Sequence, residues 1–369
     1  MWPESSEQHQ PLRTGLTTGT CATACCVAAA HLLLARQICE QASVTLPKGQ
    51  IVELDIVDLQ CSDQIAHAAT IKDAGDDPDV THGAKVWVNL RLLPTTGVTF
   101  NADRGVGTVT RAGLALAVGE PAINPVPRQM MRSNLQVVAQ KYNYKGGFAV
   151  SIGIDQGAEL ALKTMNSRLG IVDGLSILGT SGIVRPFSCS AWIASIHRGM
   201  DVAHANGYAH IAASTGNTSE AYVQQHYQMA PMQLIEMGDF AGAVLKYLKQ
   251  VPITKLTLCG GFGKLSKLAN GHLDLHSSRS SIDFGQLQEL AQQQGAQPAL
   301  LDYIGQANTS LQALQACQTD AIDLATSVCY AAYQQARKHL PARVEVEIIA
   351  INQQGELLSQ YPLLPEGAA

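Results

Sequence analysis

Tyr208-Ala-His-Ile-Ala-Ala-Ser-Thr-Gly-Asn-Thr-Ser-Glu220 reads as a short β-strand, Tyr208 to Ala213, that runs into a polar glycine loop, Ser214 to Glu220, and then into a short helix. The same unit recurs on either side. Upstream, Gly174 to Leu178 is a strand that ends in Gly179-Thr-Ser-Gly182, with a helix from Ser188 to about Ala205. Downstream come the strand Gln233 to Met237 with a helix from Asp239 to Leu248, and the strand Thr254 to Cys259 with the loop Gly260-Gly-Phe-Gly-Lys264 and another helix. A helix over Asp320 to Arg337 precedes the strand Val344 to Ile351, which closes the pattern, and the Gln-rich stretch 285–300 reads as a solvated helix. Strand, glycine loop and helix in series predict a parallel, doubly wound, Rossmann-like sheet over residues 166–369.

The first half has a different rhythm. Ala22, Cys25, Cys26, Ala29, Leu32 and Leu33 recur at helical spacing within 16–36, with Thr17 and Thr18 as N-cap candidates. Val44 to Leu46, Ile51 to Leu59, Ile65 to Ile71 and Lys85 to Leu93 read as a strand meander punctuated by Pro47-Lys-Gly49 and Asp73-Ala-Gly-Asp-Asp-Pro78. A helix over Arg128 to Lys141 and a strand over Phe148 to Ile154 complete an α+β domain over residues 1–165.

The chain has 369 residues, 46% of them hydrophobic and 15% charged, a composition that supports buried cores and not disorder. A net charge of −5 argues against nucleic acid or an anionic membrane surface as the main partner. No segment reads as a spanning helix of about 20 apolar residues, and the polar start lacks the features of a signal peptide, so a cytoplasmic location is expected. The nine cysteines are then expected to be thiols, with Cys21, Cys25 and Cys26 packed as small hydrophobes rather than bound to metal.

In a doubly wound sheet ligands bind outside the carboxyl ends of the strands, so the three glycine loops are the first place to look for chemistry. None matches the dinucleotide fingerprint or a P-loop. Backbone N–H groups at Gly179, Thr180, Ser181 and Gly182 could receive the carboxylate of S-adenosylmethionine, and Asn217 or Glu220 could accept from its ribose; glycines serving only a turn are the competing reading. Lys264 and Lys267 stand at a helix N-terminus, where the dipole disfavours cations unless an anion is bound; a solvated lysine pair is the alternative. His272, Asp274 and His276 alternate along one segment, open to a metal, relay or plain polar reading. Arg104 and Arg111 flank the loop Gly105-Val-Gly107, and Arg13 and Arg128 add further cations, an arrangement seen in anion clamps.

Several of these tracts together resemble one family. Leu12-Arg-Thr-Gly-Leu-Thr-Thr-Gly-Thr-Cys-Ala22, Asp103-Arg-Gly-Val-Gly-Thr108, Ala122-Ile-Asn-Pro-Val-Pro127, Asn166 to Val184, Ser214-Thr-Gly-Asn217, Gly238-Asp-Phe240 and Gly263-Lys-Leu-Ser-Lys-Leu-Ala269 are similar, in order, to the cobalt-precorrin-5B C-1-methyltransferases of anaerobic corrinoid biosynthesis. The resemblance implies S-adenosylmethionine as cofactor, held by Gly179 to Gly182, Ser214, Thr215, Gly216, Asn217 and Glu220. It implies a cobalt-bearing tetrapyrrole as substrate, whose acid side arms would meet Arg13, Thr17, Thr18, Arg104, Gly105, Gly107, Arg111, Gly261, Gly263, Lys264 and Lys267. The cobalt belongs to the substrate, so no protein metal site is expected. Methyl transfer from a sulfonium needs mainly alignment, and His276 and Asp239 are the candidates if a base acts. A nicotinamide-dependent corrin reductase, a non-catalytic corrinoid carrier and a small-molecule kinase are the competing readings, and assembly into a homo-oligomer stays open.

Overall fold

A computed structural model describes residues 11–363 and divides the chain into two compact units at the Ser188–Cys189 junction. Both are mixed α/β structures, with several sheets in all.

At the centre of the first unit lies helix α1 (Thr18–Ala35). It starts because Thr17, extended at φ −78°, accepts a hydrogen bond from the Thr20 amide. Every residue from Thr18 to Ala30 is buried. A helix apolar on all sides can satisfy itself only as the core of a layered structure. Strands β1 (Asp58–Ser62), β2 (Ile65–Ile71), β3 (Lys85–Leu93), β4 (Val98–Ala102) and β5 (Gly147–Ile154) form one sheet in the order β1-β2-β3-β5-β4. Only the β5–β4 pair is parallel. Ala66, Ala68, Val86, Val88, Val150 and Ile152 of this sheet share a core with α1 and with Met131 and Leu135 of α2 (Pro125–Lys141). By length and composition α1 could cross a membrane, where the sequence reading found no such stretch; 78% of it is buried inside the protein. Cys21, Cys25 and Cys26 are fully buried in this core, as their packing reading expects. Burial pushes the Cys21 thiol up to about 12.

The expected strand Ile51 to Leu59 is two strands, Ile51–Asp55 in a hairpin with Gln41–Thr45, and β1. The strand β4 was not anticipated. The larger difference concerns residues 166–188, which the sequence reading assigns to the second domain. Ile171–Val172 pairs with Thr108–Val109, Gly174–Leu175 with Gly105–Val106, and Ile183–Val184 with Gly15–Leu16. These ladders tie the segment to the first unit, so the division falls at 188/189 rather than at 165/166.

In the second unit α3 (Cys189–Ala205), β6 (His210–Ser214), α4 (Asn217–Tyr227), β7 (Leu234–Glu236), α5 (Ala241–Tyr247), β8 (Lys255–Gly261) and α6 (Phe262–Ala269) alternate in sequence. Three further helices follow, α7 (Phe284–Gln293), α8 (Pro298–Gln306) and α9 (Ser310–Thr319), then α10 (Leu324–His339), β9 (Glu345–Ile351) and β10 (Leu357–Tyr361). The sheet order is β7-β6-β8-β9-β10, parallel except for β10. Side chains alternate across it. Ile211, Leu256, Leu258, Ile348 and Ala350 join the large core under α3, α5, α6 and α10, while Ala212, Cys259, Ile349 and Ile351 meet Val223 of α4 on the other face. The sequence reading closes the sheet at Ile351; Leu357–Tyr361 adds an antiparallel edge strand beyond it.

Candidate functional site

The carboxyl ends of β6, β7 and β8 carry three loops that converge within the second unit. The β6 strand ends at Ser214, whose backbone oxygen accepts from the amides of Met237 and Gly238 after β7. The Thr215 amide donates to Cys259 O at the end of β8. Gly260 lets the chains approach this closely, because a Cβ there would come within 2.7 Å of Thr215. The α4 N-terminus is closed by Ser219, whose hydroxyl accepts from the Gly216 amide at 3.1 Å and donates to Gly216 O.

Lys264 in the first turn of α6 ties the loops together. Its Nζ donates to Thr215 O at 3.1 Å and lies 3.1 Å from Asp239 Oδ1. The expected free anion is therefore not what balances Lys264; a carboxylate from the neighbouring loop does so. Lys267 is buried and donates to Leu275 O at 2.9 Å, so it holds the 272–276 segment and offers no open cation. The same segment docks on α5 through Leu275 N to Asp239 O and Gly242 N to Leu273 O. His276 follows it and is exposed; its amide donates to Asp274, and its Nδ1 pairs with the Ser278 hydroxyl at 2.8 Å.

Two polar atoms at this edge lack aligned partners. Ser214 Oγ is buried without a hydrogen bond, and Asp239 Oδ1 has its ion pair but no aligned donor. Buried polar groups are normally satisfied, so the Ser214 hydroxyl is an exception at this strand-end edge. Space is available there: a Cβ on Gly216 or on Gly261 would meet nothing within 4 Å, whereas Gly263 lies against Ser310. Asn217 is exposed, and Glu220 stands in the first turn of α4. Trp192 contributes an exposed aromatic face, with Nε1 donating to Glu236 O and its ring about 3.6 Å from where a Cβ of Gly238 would lie. Neither Trp192 nor Ser219 was singled out from sequence, since a lone tryptophan in an amphipathic helix and a serine in a polar loop carry no spacing signal.

The glycine loop Gly179–Gly182 belongs to the first unit and does not end a strand of the parallel sheet. It is folded onto the start of α1. Thr17 N and Thr20 Oγ donate to Gly182 O, Gly19 N donates to Leu178 O, and the Leu178 amide donates to the Thr18 hydroxyl. Gly179 and Gly182 have φ values of +128° and +82°, and a Cβ on Gly179 would strike Thr17 at 2.3 Å. The Ser181 hydroxyl is occupied with the backbone of Ile183, and Thr180 is exposed. Thr17 and Thr18, expected to touch substrate, are buried in this joint.

The other expected anion contacts are similarly engaged. Gly105, at φ +83°, is packed against Ile154 O and Gly157, and Gly107 against Ile171 and the Gly174 carbonyl, so these glycines serve close backbone packing. Arg104 is exposed and paired with Asp155 at 3.3 Å, and Arg111 covers Gly170. Arg13 forms a bidentate pair with Asp73, which holds that carboxyl down at about 2.

A separate polar cluster crosses the α4 face of the second unit. Thr257 Oγ donates to the buried Glu347 at 2.9 Å and lies 2.8 Å from His210 Nε2, while the Tyr227 hydroxyl also donates to Glu347. Because Thr257 has one proton to give, His210 carries its proton on Nε2. Burial, then nearby Lys255, lowers His210 to about 4, and burial raises Tyr227. Among the described residues no group of three or more His, Cys, Asp or Glu could hold a metal ion.

Taken alone, the fold is that of an α/β protein with three loops converging at the carboxyl ends of a parallel sheet, the edge where sheets of this kind bind ligands. Comparison with known proteins narrows this. The CbiD family model matches residues 5–186, and the model for the CbiD C-terminal domain matches residues 274–362. A relative from Marinomonas sp. (strain MWYL1), named cobalt-precorrin-5B C(1)-methyltransferase, is 56% identical over 372 residues, covering 98% of this chain and 97% of the relative. One of the same name from Burkholderia cenocepacia (strain HI2424) is 58% identical over 358 residues, with 97% and 99% covered. A crystal structure of a cobalamin biosynthesis protein from Archaeoglobus fulgidus shares 28% identity, covers 70% of this chain and 80% of that one, and has a TM-score of 0.39. The chain belongs to the CbiD family.

Proposed function

We propose that the protein methylates ring carbon C-1 of cobalt-precorrin-5B to give cobalt-precorrin-6A, with S-adenosylmethionine as methyl donor, as a cytoplasmic enzyme of cobalamin biosynthesis. The name borne by relatives at 56–58% identity over nearly the whole chain supports the reaction. The unpaired Ser214 hydroxyl and the neighbouring Asp239 carboxylate, beside open space at Gly216 and Gly261, carry the placement of the donor.

We read the second unit as a Rossmann-like, doubly wound sheet, where the carboxyl edge is the binding edge. The residues there fit the cofactor. Asp239 and Glu220 are acceptors suited to an ammonium and to ribose hydroxyls, the Ser214 hydroxyl can donate or accept, and Trp192 offers a flat apolar face. Bound S-adenosylmethionine would supply an activated methyl on sulfur. The chain's own contribution is orientation: Lys264 fixes the Asp239 carboxylate and the Thr215 loop at once, so the acceptors are set before ligand arrives. Asp239, already ion-paired, serves as a positioning acceptor rather than as a base. Gly179–Gly182 holds the start of α1 in place.

Calorimetric titration with S-adenosylhomocysteine, followed by transfer of labelled methyl to the cobalt-precorrin, tests the reading. Saturable binding and label in the tetrapyrrole are expected. Corrinoid binding without either result would overturn it in favour of a carrier.

A further inference from the structure

The first unit has an open groove of about 490 Å³, apart from the loops of the second unit. Its walls include Leu116, Glu120, Pro125, Arg128, Gln129 and Arg132. Arg128 and Arg132 are one helical turn apart in the first half of α2, a helix with no acidic residue in its first turn.

The two arginines are held differently. Arg128 is fixed by the chain itself: Nε donates to Ile123 O at 2.7 Å, and the terminal nitrogen to Pro121 O at 3.2 Å and Glu120 at 3.3 Å. Arg132 makes no hydrogen bond or ion pair among the described residues. Its guanidinium lies over the Phe100 ring, 5.0 Å from the centroid, with Arg128 at 5.7 Å from the same ring. Phe100, on edge strand β4, thus aligns both guanidinium groups while leaving the Arg132 fork open. Glu120 answers one positive charge and leaves the other unanswered.

We propose that this groove is a carboxylate-binding subsite in which Arg132, stacked on Phe100, receives an acid side arm of the tetrapyrrole substrate in bidentate fashion, with Arg128 as the fixed cationic wall. The inference rests on the function proposed above and adds which part of the chain reads the substrate's periphery. The groove is too small for a whole macrocycle but suits one rim with its side arms. Leu116 and Pro125 offer apolar contact to the ring edge, and Gln129 offers an amide. A planar fork matches a carboxylate better than an ammonium, so arginine at this position is chemically specific.

The test titrates the full-length protein with cobyrinic acid, a cobalt corrin with free carboxylates, and with its methyl ester. Wild type is expected to bind the acid and to bind the ester, whose carboxylates are all masked, at least about tenfold more weakly. Arg132→Gln should weaken binding of the acid toward the value for the ester, with thermal stability and S-adenosylhomocysteine affinity unchanged; Phe100→Leu should weaken acid binding too, with some loss of stability because Phe100 packs against the core of the first unit. Arg132→Lys should recover only part of the loss. Unchanged acid binding in Arg132→Gln overturns the subsite while the methyltransferase reading stands. Failure of wild type to bind either corrin, or S-adenosylhomocysteine, overturns that reading and the subsite with it.

Discussion

The ammonium of Lys264 lies 3.1 Å from the Asp239 carboxylate and 3.1 Å from the Thr215 carbonyl, so one side chain fastens the ends of three parallel strands. Lys264→Met leaves Asp239 without its charge partner at a partly exposed site. We expect unit 2 to lose about 1 kcal/mol, because exposure screens the pair, and affinity for S-adenosylhomocysteine to fall. Calorimetry and thermal melts check this. A rise in KM for the tetrapyrrole alone, with cofactor affinity intact, would instead mean that Lys264 meets the substrate's acid groups directly, as its position at a helix start led the sequence reading to expect.

Ser214 separates binding from stability. Its hydroxyl is buried and unpaired, a state that opposes folding. Ser214→Ala removes it with little change of volume, so the melting temperature should stay level or rise. Affinity for S-adenosylhomocysteine should fall about five- to tenfold, the worth of one hydrogen bond. A fall in both would show a structural hydroxyl and remove it from the site.

Glycines in the two units should respond in opposite ways. At Gly105 the backbone is left-handed, and a Cβ would lie 2.0 Å from Ile154 O. Gly105→Ala should destabilise the first unit by about 3 kcal/mol or more, through strain and forced backbone movement. Gly261→Ala meets nothing within 4 Å, so its melting temperature should match wild type while ligand binding reports the lost space. Equal stability of the two variants would contradict the packing described for Gly105.

His210 supplies a pH dependence. Its folded value is lowered to about 4, below the ordinary imidazole near 6.5. Between those values the unfolded chain binds more protons, so stability is fully present above about pH 6.5 and falls as the pH drops toward 4. Glu347 and Tyr227, Thr257 and Lys255 are the groups facing it. His210→Gln should flatten this part of the stability profile in denaturant melts at pH 4, 5, 6 and 7. An unchanged slope would assign the fall to other groups.

Much of the architecture was legible in the chain. Period and punctuation located α1, α2, the long strands and the alternation of the second unit, because each is set by local spacing. What stayed hidden depends on partners distant in sequence. Gly179-Thr-Ser-Gly182 looks like a strand-end ligand loop, yet its neighbours are Thr17 and Thr20, more than 150 residues away, and only that pairing shows it to be a packing joint. Lys267 reads in sequence as an anion contact paired with Lys264, or as a solvated lysine, yet its Nζ is taken by Leu275 O of the 272–276 segment. Arg132 and Phe100 share no motif; a helix and an edge strand bring them together. The polar loop Ser214 to Glu220, by contrast, was found from sequence at the strand end where the unpaired hydroxyl lies, because a strand followed by a polar glycine loop is itself local.

The joint between Gly15–Leu16 and Ile183–Val184 also bears on synthesis. The ribosome delivers α1, the most thoroughly enclosed helix of the first unit, about 165 residues before the strand and loop that seat its leading end. Until then the leading end of this 18-residue apolar helix waits without its seat, at the emission rate of about 5–20 residues per second. A fragment stopped at residue 165 would never receive that seat and should be less stable than one ending at residue 188.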